Sequence, residues 1–113
     1  MPEDQTAAQR IIGDLAPKLV ELTDDLVFGD IWERPELSPR DRSLITVTTL
    51  IALYRTDQLD FHLRKALDNG LTKEELAEVI THLAFYAGWP NSMTAIAHLR
   101  GIVERPDAEA GGA

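Results

Sequence analysis

The chain has 113 residues, 44% of them hydrophobic, which is enough to bury one core. Its net charge of −8 argues against binding to nucleic acid or to an anionic membrane surface, because both require a basic patch. It has no cysteine, which excludes disulfides, thiolate nucleophiles and thiolate metal sites. No apolar run approaches the ~20 residues of a membrane span. The acidic N-terminus is unlike a secretory signal, so we expect a cytoplasmic protein.

The N-terminal third predicts two helical pieces. Residues 1–8 are polar and we expect them to be flexible. A first helix is predicted from about Thr6 to Leu22, and Pro17 should kink or split it. A second piece near residues 24–32 should end in a turn at Pro35.

Four further helices are indicated by capping and stop signals. Ser38-Pro39 should start a helix that ends near Arg55, and Thr56-Asp57 should cap the next, which stops at Asn69-Gly70. Thr72 and Glu75 form a capping box for a helix predicted to end at Gly88. A last helix should reach about residue 104 before a flexible tail, residues 106–113. The sequence therefore predicts an all-α fold of about six helices, with one domain over residues 9–105.

Several apolar residues lie outside the apolar faces of the predicted helices. Phe61 and Phe85 fall opposite the apolar faces of their helices, and residues 44–54 are apolar almost all the way round. A monomer of this size cannot easily cover all of these surfaces. The pattern therefore predicts a homo-oligomer whose apolar subunit boundary could shelter a pocket.

The stretch from Val27 to Val103 resembles the carboxymuconolactone decarboxylase family. The matching words are FGDIWERPELSPRDRS, LDFHLRKALDNGLTKEELAEVI and YAGWPNS. Together they place a histidine before an Ala-Leu-x-Asn-Gly stop, a Thr-x-x-Glu capping box and a Tyr-x-Gly-x-Pro turn in a fixed order. The resemblance implies the all-helical fold that this family shares with alkylhydroperoxidases, and assembly as a hexamer, a trimer of dimers.

The missing cysteines decide between the two chemical branches of that family. The peroxidase branch uses a CxxC pair before the motif histidine, and here that region reads RTDQLDF. The chain is similar to the other branch, which decarboxylates a lactone acid in aromatic-compound catabolism without a cofactor. The alternative is a non-catalytic helical oligomer or partner-binding module of the same fold.

Decarboxylation of such a lactone acid needs three groups. Its carboxylates need a cation, best a bidentate arginine, and its lactone oxygen needs a donor for the developing charge. The carbanion must receive a proton from a group that titrates near neutral pH. The substrate is its own electron sink, so no metal or organic cofactor is demanded.

His62 and Arg42 are the first candidates for these roles. The resemblance places the motif histidine at His62, as proton donor, although a half-buried histidine bonded to a backbone carbonyl would fit the same pattern. Arg42, at the start of an apolar helix, is the candidate carboxylate clamp. Its alternative role is an ion pair with an acidic neighbour, namely Asp41, Glu36 or Glu75.

Glu78 and His82, four residues apart, are either a site pair or an exposed helical pair. Their role in the site would be that Glu78 orients the imidazole of His82. Tyr86, Trp89 and Trp32 are candidates for the wall of a small-molecule site, with the tyrosine as donor to the lactone oxygen, or they are ordinary packing. His98 is predicted to be a surface residue. No histidine has HxxH or HExxH spacing, so no metal site is predicted.

Overall fold

Helices make up the structure, a computed structural model that describes residues 5–105, and no strand occurs in that range. The α-helices are α1 (Ala7–Ile12), α2 (Pro17–Glu21), α3 (Pro39–Ala52), α4 (Leu59–Asp68), α5 (Lys73–Leu83) and α6 (Trp89–Glu104). The all-α class predicted from the sequence is therefore confirmed. None of the helices in the described range has the length and hydrophobicity needed to cross a membrane.

The chain divides into two compact units, and the division falls between Pro39 and Arg40. The prediction of one domain over residues 9–105 stays a prediction, because compactness alone does not establish independent folding. Helix α1 begins at Ala7, inside the segment 1–8 that was expected to be flexible. The predicted flexible tail, 106–113, lies outside the described residues.

The first unit contains α1, α2 and two short irregular helices. Pro17 is the first residue of α2, so it splits the predicted long helix as expected. The second predicted piece is corrected: α2 continues directly into a π-helical segment, Leu22–Phe28, and a 3₁₀ turn follows at Ile31–Glu33. Thr6, the N-cap of α1, connects α1 to the π-helical segment, because its hydroxyl donates to the carboxylate of Asp24 at 3.0 Å.

The second unit is built around one hydrophobic core from its four helices. Helix α6 packs against both α4 and α5. The buried residues are Val47, Ile51, Leu59, Leu63, Ala66, Leu71, Leu76, Ile80, Leu83, Ala95, Leu99 and Ile102. The apolar faces predicted by helical spacing are buried in part, and the buried positions are Leu59, Leu63 and Ala66 on α4 and Leu76, Ile80 and Leu83 on α5, whereas Leu67, Val79 and Ala87 are half-buried against the core. Helix α3 buries only a narrow side, and Ile45 on that helix is 52% exposed.

Some helix ends follow the predicted signals and others depart from them. Gly70 has a φ of +108° after α4, and Thr72 and Glu75 form the predicted capping box of α5. Thr56-Asp57 does not cap α4, because Asp57 instead pairs with Arg55 at 3.3 Å. Helix α5 ends at Leu83 rather than Gly88, and residues 84–87 form a turn.

Two polar side chains fix the start of α6 against its neighbours. The buried hydroxyl of Ser92 donates to the carbonyl of Ile80 at 2.7 Å. The side-chain amide of Asn91 donates to the carbonyl of Ile51, at the end of α3, at 2.8 Å. Both acceptors are carbonyls in the last turns of their helices, where the Ile80 carbonyl also accepts the backbone N–H of Ala84 and the Ile51 carbonyl that of Tyr54. The two side-chain bonds hold α3 and α5 in a fixed relation.

Candidate functional site

An open groove of about 490 Å³ lies between α3 and α5. Its lining residues are Arg40, Leu44 and Thr48 on α3, Leu71 in the loop between α4 and α5, and Glu75, Glu78, Val79, His82 and Leu83 on α5. The lining residues of α3 recur every four positions, and those of α5 every three or four, so each helix contributes one face. The floor is aliphatic, and four ionisable side chains surround it.

The guanidinium of Arg40 is anchored at this groove. One of its nitrogens lies 2.7 Å from a carboxylate oxygen of Glu75, and another lies 3.3 Å from Asp41. The pKa of the Glu75 carboxyl is lowered, first by the hydrogen bond from the backbone N–H of Thr72 and then by that from Arg40. Arg40 is therefore a cation held in place by two carboxylates at the mouth of an apolar groove.

Glu78 and His82 line this groove together, as their spacing on one helix predicts. Within the described residues no hydrogen bond or ion pair joins them, so the orientation of His82 by Glu78 stays a prediction. His82 instead stacks on Tyr86, with ring centroids 4.8 Å apart and an interplanar angle of 18°. The groove thus contains an imidazole that is exposed on α5 and supported on one face by a tyrosine.

His62 lies on α4 and is half-buried. Its ring is nearly perpendicular to that of Phe61, with an interplanar angle of 84° and centroids 5.0 Å apart. Burial lowers the pKa of the His62 imidazole below its ordinary value of 6.5, and the positive charge of Lys65 lowers it further. At neutral pH His62 is therefore mostly uncharged, and it does not line the α3–α5 groove. Its role as proton donor stays a prediction.

Arg42 and Trp32 also lie outside the lining of the groove. Arg42 is half-buried on α3, and its carbonyl accepts a hydrogen bond from the hydroxyl of Thr46 at 2.8 Å. Trp32 belongs to the first unit and stacks on Phe28, with ring centroids 5.9 Å apart. The predicted roles of Arg42 as carboxylate clamp and of Trp32 as site wall stay predictions.

The turn between α5 and α6 carries an exposed aromatic cluster, which we define as Phe85, Tyr86 and Trp89. These side chains are 73%, 80% and 60% exposed, respectively. Phe85 meets Trp89 edge to face at 5.7 Å. Because Tyr86 stacks on His82, the cluster extends from the groove to the surface of the second unit.

His98, predicted to be a surface residue, lies on α6 with 30% of its side chain exposed. It is half-buried, and its Nδ1 lies 2.7 Å from a carboxylate oxygen of Asp60 on α4. The sequence does not predict this contact, because Asp60 is 38 residues away along the chain and helical periodicity within α6 contains no information about it.

Two residues of the groove were missed as site candidates, namely Arg40 and Glu75. Glu75 was assigned only to a capping box and to a possible ion pair with Arg42. The four-residue spacing of Arg40, Leu44 and Thr48 was the signal that could have found Arg40. Within residues 5–105, no three histidine, aspartate or glutamate side chains lie close enough to hold a metal ion.

Comparisons with known proteins agree with the helical fold and the motifs. Over 69 residues the chain is 48% identical to 4-carboxymuconolactone decarboxylase of Acinetobacter baylyi, covering 61% of this chain and 52% of that protein. Over 76 residues it is 36% identical to a nitrosuccinic acid decarboxylase of Metarhizium robertsii, covering 67% of this chain and 53% of that protein. The chain thus spans about half the length of these two relatives. The model of the carboxymuconolactone decarboxylase family matches residues 17–100, and the chain belongs to that family.

Proposed function

We propose that the chain is a carboxy-lyase that decarboxylates a lactone acid of the carboxymuconolactone type without a cofactor. The observation that carries the proposal is the α3–α5 groove, which combines an aliphatic floor with an anchored guanidinium and an imidazole. Ligand pockets of roughly 300–1,000 Å³ are ordinary for small molecules, and the groove has about 490 Å³. The names of the two decarboxylases that resemble this chain support the reaction type.

The reaction breaks the bond between a ring carbon and its carboxylate. Carbon dioxide leaves, and the electron pair spreads through the ring double bond into the lactone carbonyl. A proton then adds to carbon and gives the product lactone. The protein must therefore bind the acid, stabilise the dienolate and deliver that proton.

Arg40 is the cation that the groove offers to the substrate. A guanidinium has five N–H donors, and two carboxylates at 2.7 and 3.3 Å leave donors for a third. Its two bonds fix the guanidinium before substrate arrives, which reduces the entropy lost on binding. Arg42 is the competing candidate from the sequence, so the pair of single variants at these positions decides which arginine binds the acid.

Two histidines compete for the role of proton donor. The family resemblance implies His62, and the groove contains His82. A donor must be protonated to act, and burial of His62 lowers the share of its acid form at neutral pH. The Tyr86 hydroxyl, next to His82, is proposed as the donor of a hydrogen bond to the lactone oxygen, with Glu78 on the same wall of the groove.

The two acids in the names of the relatives share chemical features, and these features define the substrates to assay. In nitrosuccinic acid the nitro group takes the electron pair that the lactone carbonyl takes in carboxymuconolactone. Both are acids with more than one carboxylate and a neighbouring electron sink. We therefore infer that this chain acts within that class, with the lactone acid as first choice because the identity to its decarboxylase is higher.

The test is carbon dioxide release by the purified full chain with carboxymuconolactone, nitrosuccinic acid and a saturated lactone acid that lacks the electron sink. Turnover is expected with carboxymuconolactone and none with the saturated acid. A folded chain that releases no carbon dioxide from any of them would overturn the proposal and favour a non-catalytic helical module.

We also propose that the chain acts as a homo-oligomer, in the hexameric arrangement that the family resemblance implies. The second unit leaves large apolar side chains exposed, which soluble monomers rarely do in contiguous patches. They are Ile45, Leu53, Tyr54, Phe85, Tyr86, Trp89 and Met93. The aromatic cluster is next to the groove, so a neighbouring subunit on it would cover the groove from solvent.

A further inference from the structure

A second cavity, of about 290 Å³, lies between α4 and α6 and shares no lining residue with the α3–α5 groove. Its lining residues are Asp60 and Arg64 on α4, Ala97, His98, Gly101 and Ile102 on α6, and Arg105 at the end of α6. None of these residues has a role in the proposed decarboxylation. We name this cavity the α4–α6 cleft.

The charge of the cleft is opposite to that of the chain. The whole chain has a formal net charge of −8, yet the cleft is lined by two arginines and one carboxylate, Asp60. That carboxylate is already bonded to His98, with 2.7 Å between the carboxylate oxygen and Nδ1. The cleft is therefore a local cationic site on an acidic protein. Its positive charge favours an anionic ligand although the net charge of the chain is negative.

The bond between Asp60 and His98 leaves one ring nitrogen of His98 for a hydrogen bond to a ligand in the cleft. Because Nδ1 of His98 is bonded to Asp60, Nε2 is the ring nitrogen left for a ligand. The bond also fixes the orientation of the imidazole ring, as a carboxylate partner does for histidines in metal sites. The side chain of His98 is 30% exposed, so it remains accessible from the cleft.

Two arginines on different elements favour a ligand with two anionic groups. Arg64 comes from α4 and Arg105 directly follows the last residue of α6, so the cleft has one guanidinium from each side. A planar guanidinium matches the geometry of a carboxylate and can bind it with two parallel hydrogen bonds. A volume of about 290 Å³ is at the lower end for ligand pockets, roughly 300–1,000 Å³, which suits a small molecule.

We propose that the α4–α6 cleft is a second binding site, separate from the decarboxylation groove, for a small dicarboxylate. Arg64 and Arg105 bind its carboxylates, and His98, positioned by Asp60, provides the third contact. This site does not depend on the proposed reaction, because it is defined by residues that the reaction does not use.

The first test is calorimetric titration of the full chain with succinate, with succinamide and sodium chloride as controls for charge and ionic strength. Saturable binding of succinate is expected, and succinamide should not bind. Arg105→Gln should weaken binding by about tenfold, as expected for one charge-assisted hydrogen bond. Arg100→Gln is the matched control, because Arg100 is on the same helix, pairs with Glu104 at 2.6 Å and does not line the cleft. Arg100→Gln should change the affinity for succinate less than about twofold, because salt screens an exposed charge that does not contact the ligand.

A second measurement identifies the site without any variant. The chain has three histidines, so their imidazole signals can be assigned in histidine-labelled protein. Succinate should shift the signal of His98, which lines the cleft, with the calorimetric affinity, and any shift of His82, which lines the decarboxylation groove, should follow a different affinity. The proposal is overturned if sodium chloride at equal ionic strength gives the same shift, if all three histidines respond alike, or if Arg105→Gln and Arg100→Gln bind equally.

Discussion

Arg40 and Glu75 join α3 to α5 at the groove, with a guanidinium nitrogen 2.7 Å from a carboxylate oxygen. The other oxygen of Glu75 accepts the backbone N–H of Thr72 at 3.0 Å, in the capping box of α5. One carboxylate therefore both caps a helix and positions the cation of the proposed site. The start of α5 and the geometry of the groove are coupled through this residue.

Glu75→Gln should lower thermal stability at pH 7, because glutamine keeps the cap but loses the charge that faces Arg40. The pKa of Glu75 is lowered in the folded chain, so its contribution is present above the unfolded value of 4.5 and is lost as pH falls through the folded value. The difference in Tm between wild type and variant should therefore be present at pH 7 and shrink at a second, acidic pH well below 4.5.

Glu74→Gln is the control for this effect. Glu74 is also exposed in the first turn of α5, but Glu75 is the residue whose side chain bonds to Thr72 and Arg40. Melting curves of both variants at the two pH values separate a specific bond from the general effect of one negative charge. Equal loss of Tm in both variants would contradict the specific role of Glu75.

Arg40→Gln should reduce kcat/KM for the lactone acid by about 10–100-fold, the effect of one charge-assisted hydrogen bond to a bound carboxylate. Arg42→Gln should reduce it far less, since Arg42 does not line the groove. Steady-state assays of the two variants, after circular dichroism has shown that both are helical, measure this. The reverse order would return the role of carboxylate clamp to Arg42.

Phe85→Glu should dissociate the proposed homo-oligomer. Phe85 is 73% exposed in the single chain, so the change costs little within a monomer, whereas an unpaired charge buried at a subunit contact costs several kcal/mol. Light scattering should give an assembly for the wild type and the 12.6 kDa of one chain for the variant. Lys73→Glu, exposed at the other end of α5, is the control and should remain assembled. A wild type that already scatters as one chain would remove the oligomer from the proposal.

The sequence predicted most of the fold because its signals are local. Gly70 and the pair of Thr72 and Glu75 act within one turn of a helix, and the apolar faces of α4 and α5 recur with the helical period. The failed cap at Thr56-Asp57 is also local, but there Arg55 competes for the carboxylate of Asp57, and a pattern of residue types does not rank the two bonds.

The candidate site was predicted less well because it depends on contacts between helices. Glu78 and His82 were found because both belong to one face of one helix. Arg40 was missed in favour of Arg42, which differs by only two positions but points about 200° away around the helix. The bond between Arg40 and Glu75 spans 35 residues, and no periodicity within α3 or α5 contains it.

His62 and His82 can be separated by one matched pair of variants, His62→Gln and His82→Gln. A positioned acid contributes ~10²–10⁴-fold to a proton transfer, so the variant that loses the donor should lose that factor in carbon dioxide release. If His62 is the donor, the wild-type rate should be highest at low pH. It should fall as pH rises through a pKa below 6.5, because burial and Lys65 lower that pKa.

The pH profile makes this test independent of simple structural damage. A variant that merely distorts the groove lowers the rate at every pH and keeps the shape of the profile, whereas loss of the donor removes the step below 6.5. His82→Gln should leave that step intact if His62 is the donor. Retention of full activity in a folded His62→Gln chain would assign the proton to His82, the histidine that lines the groove.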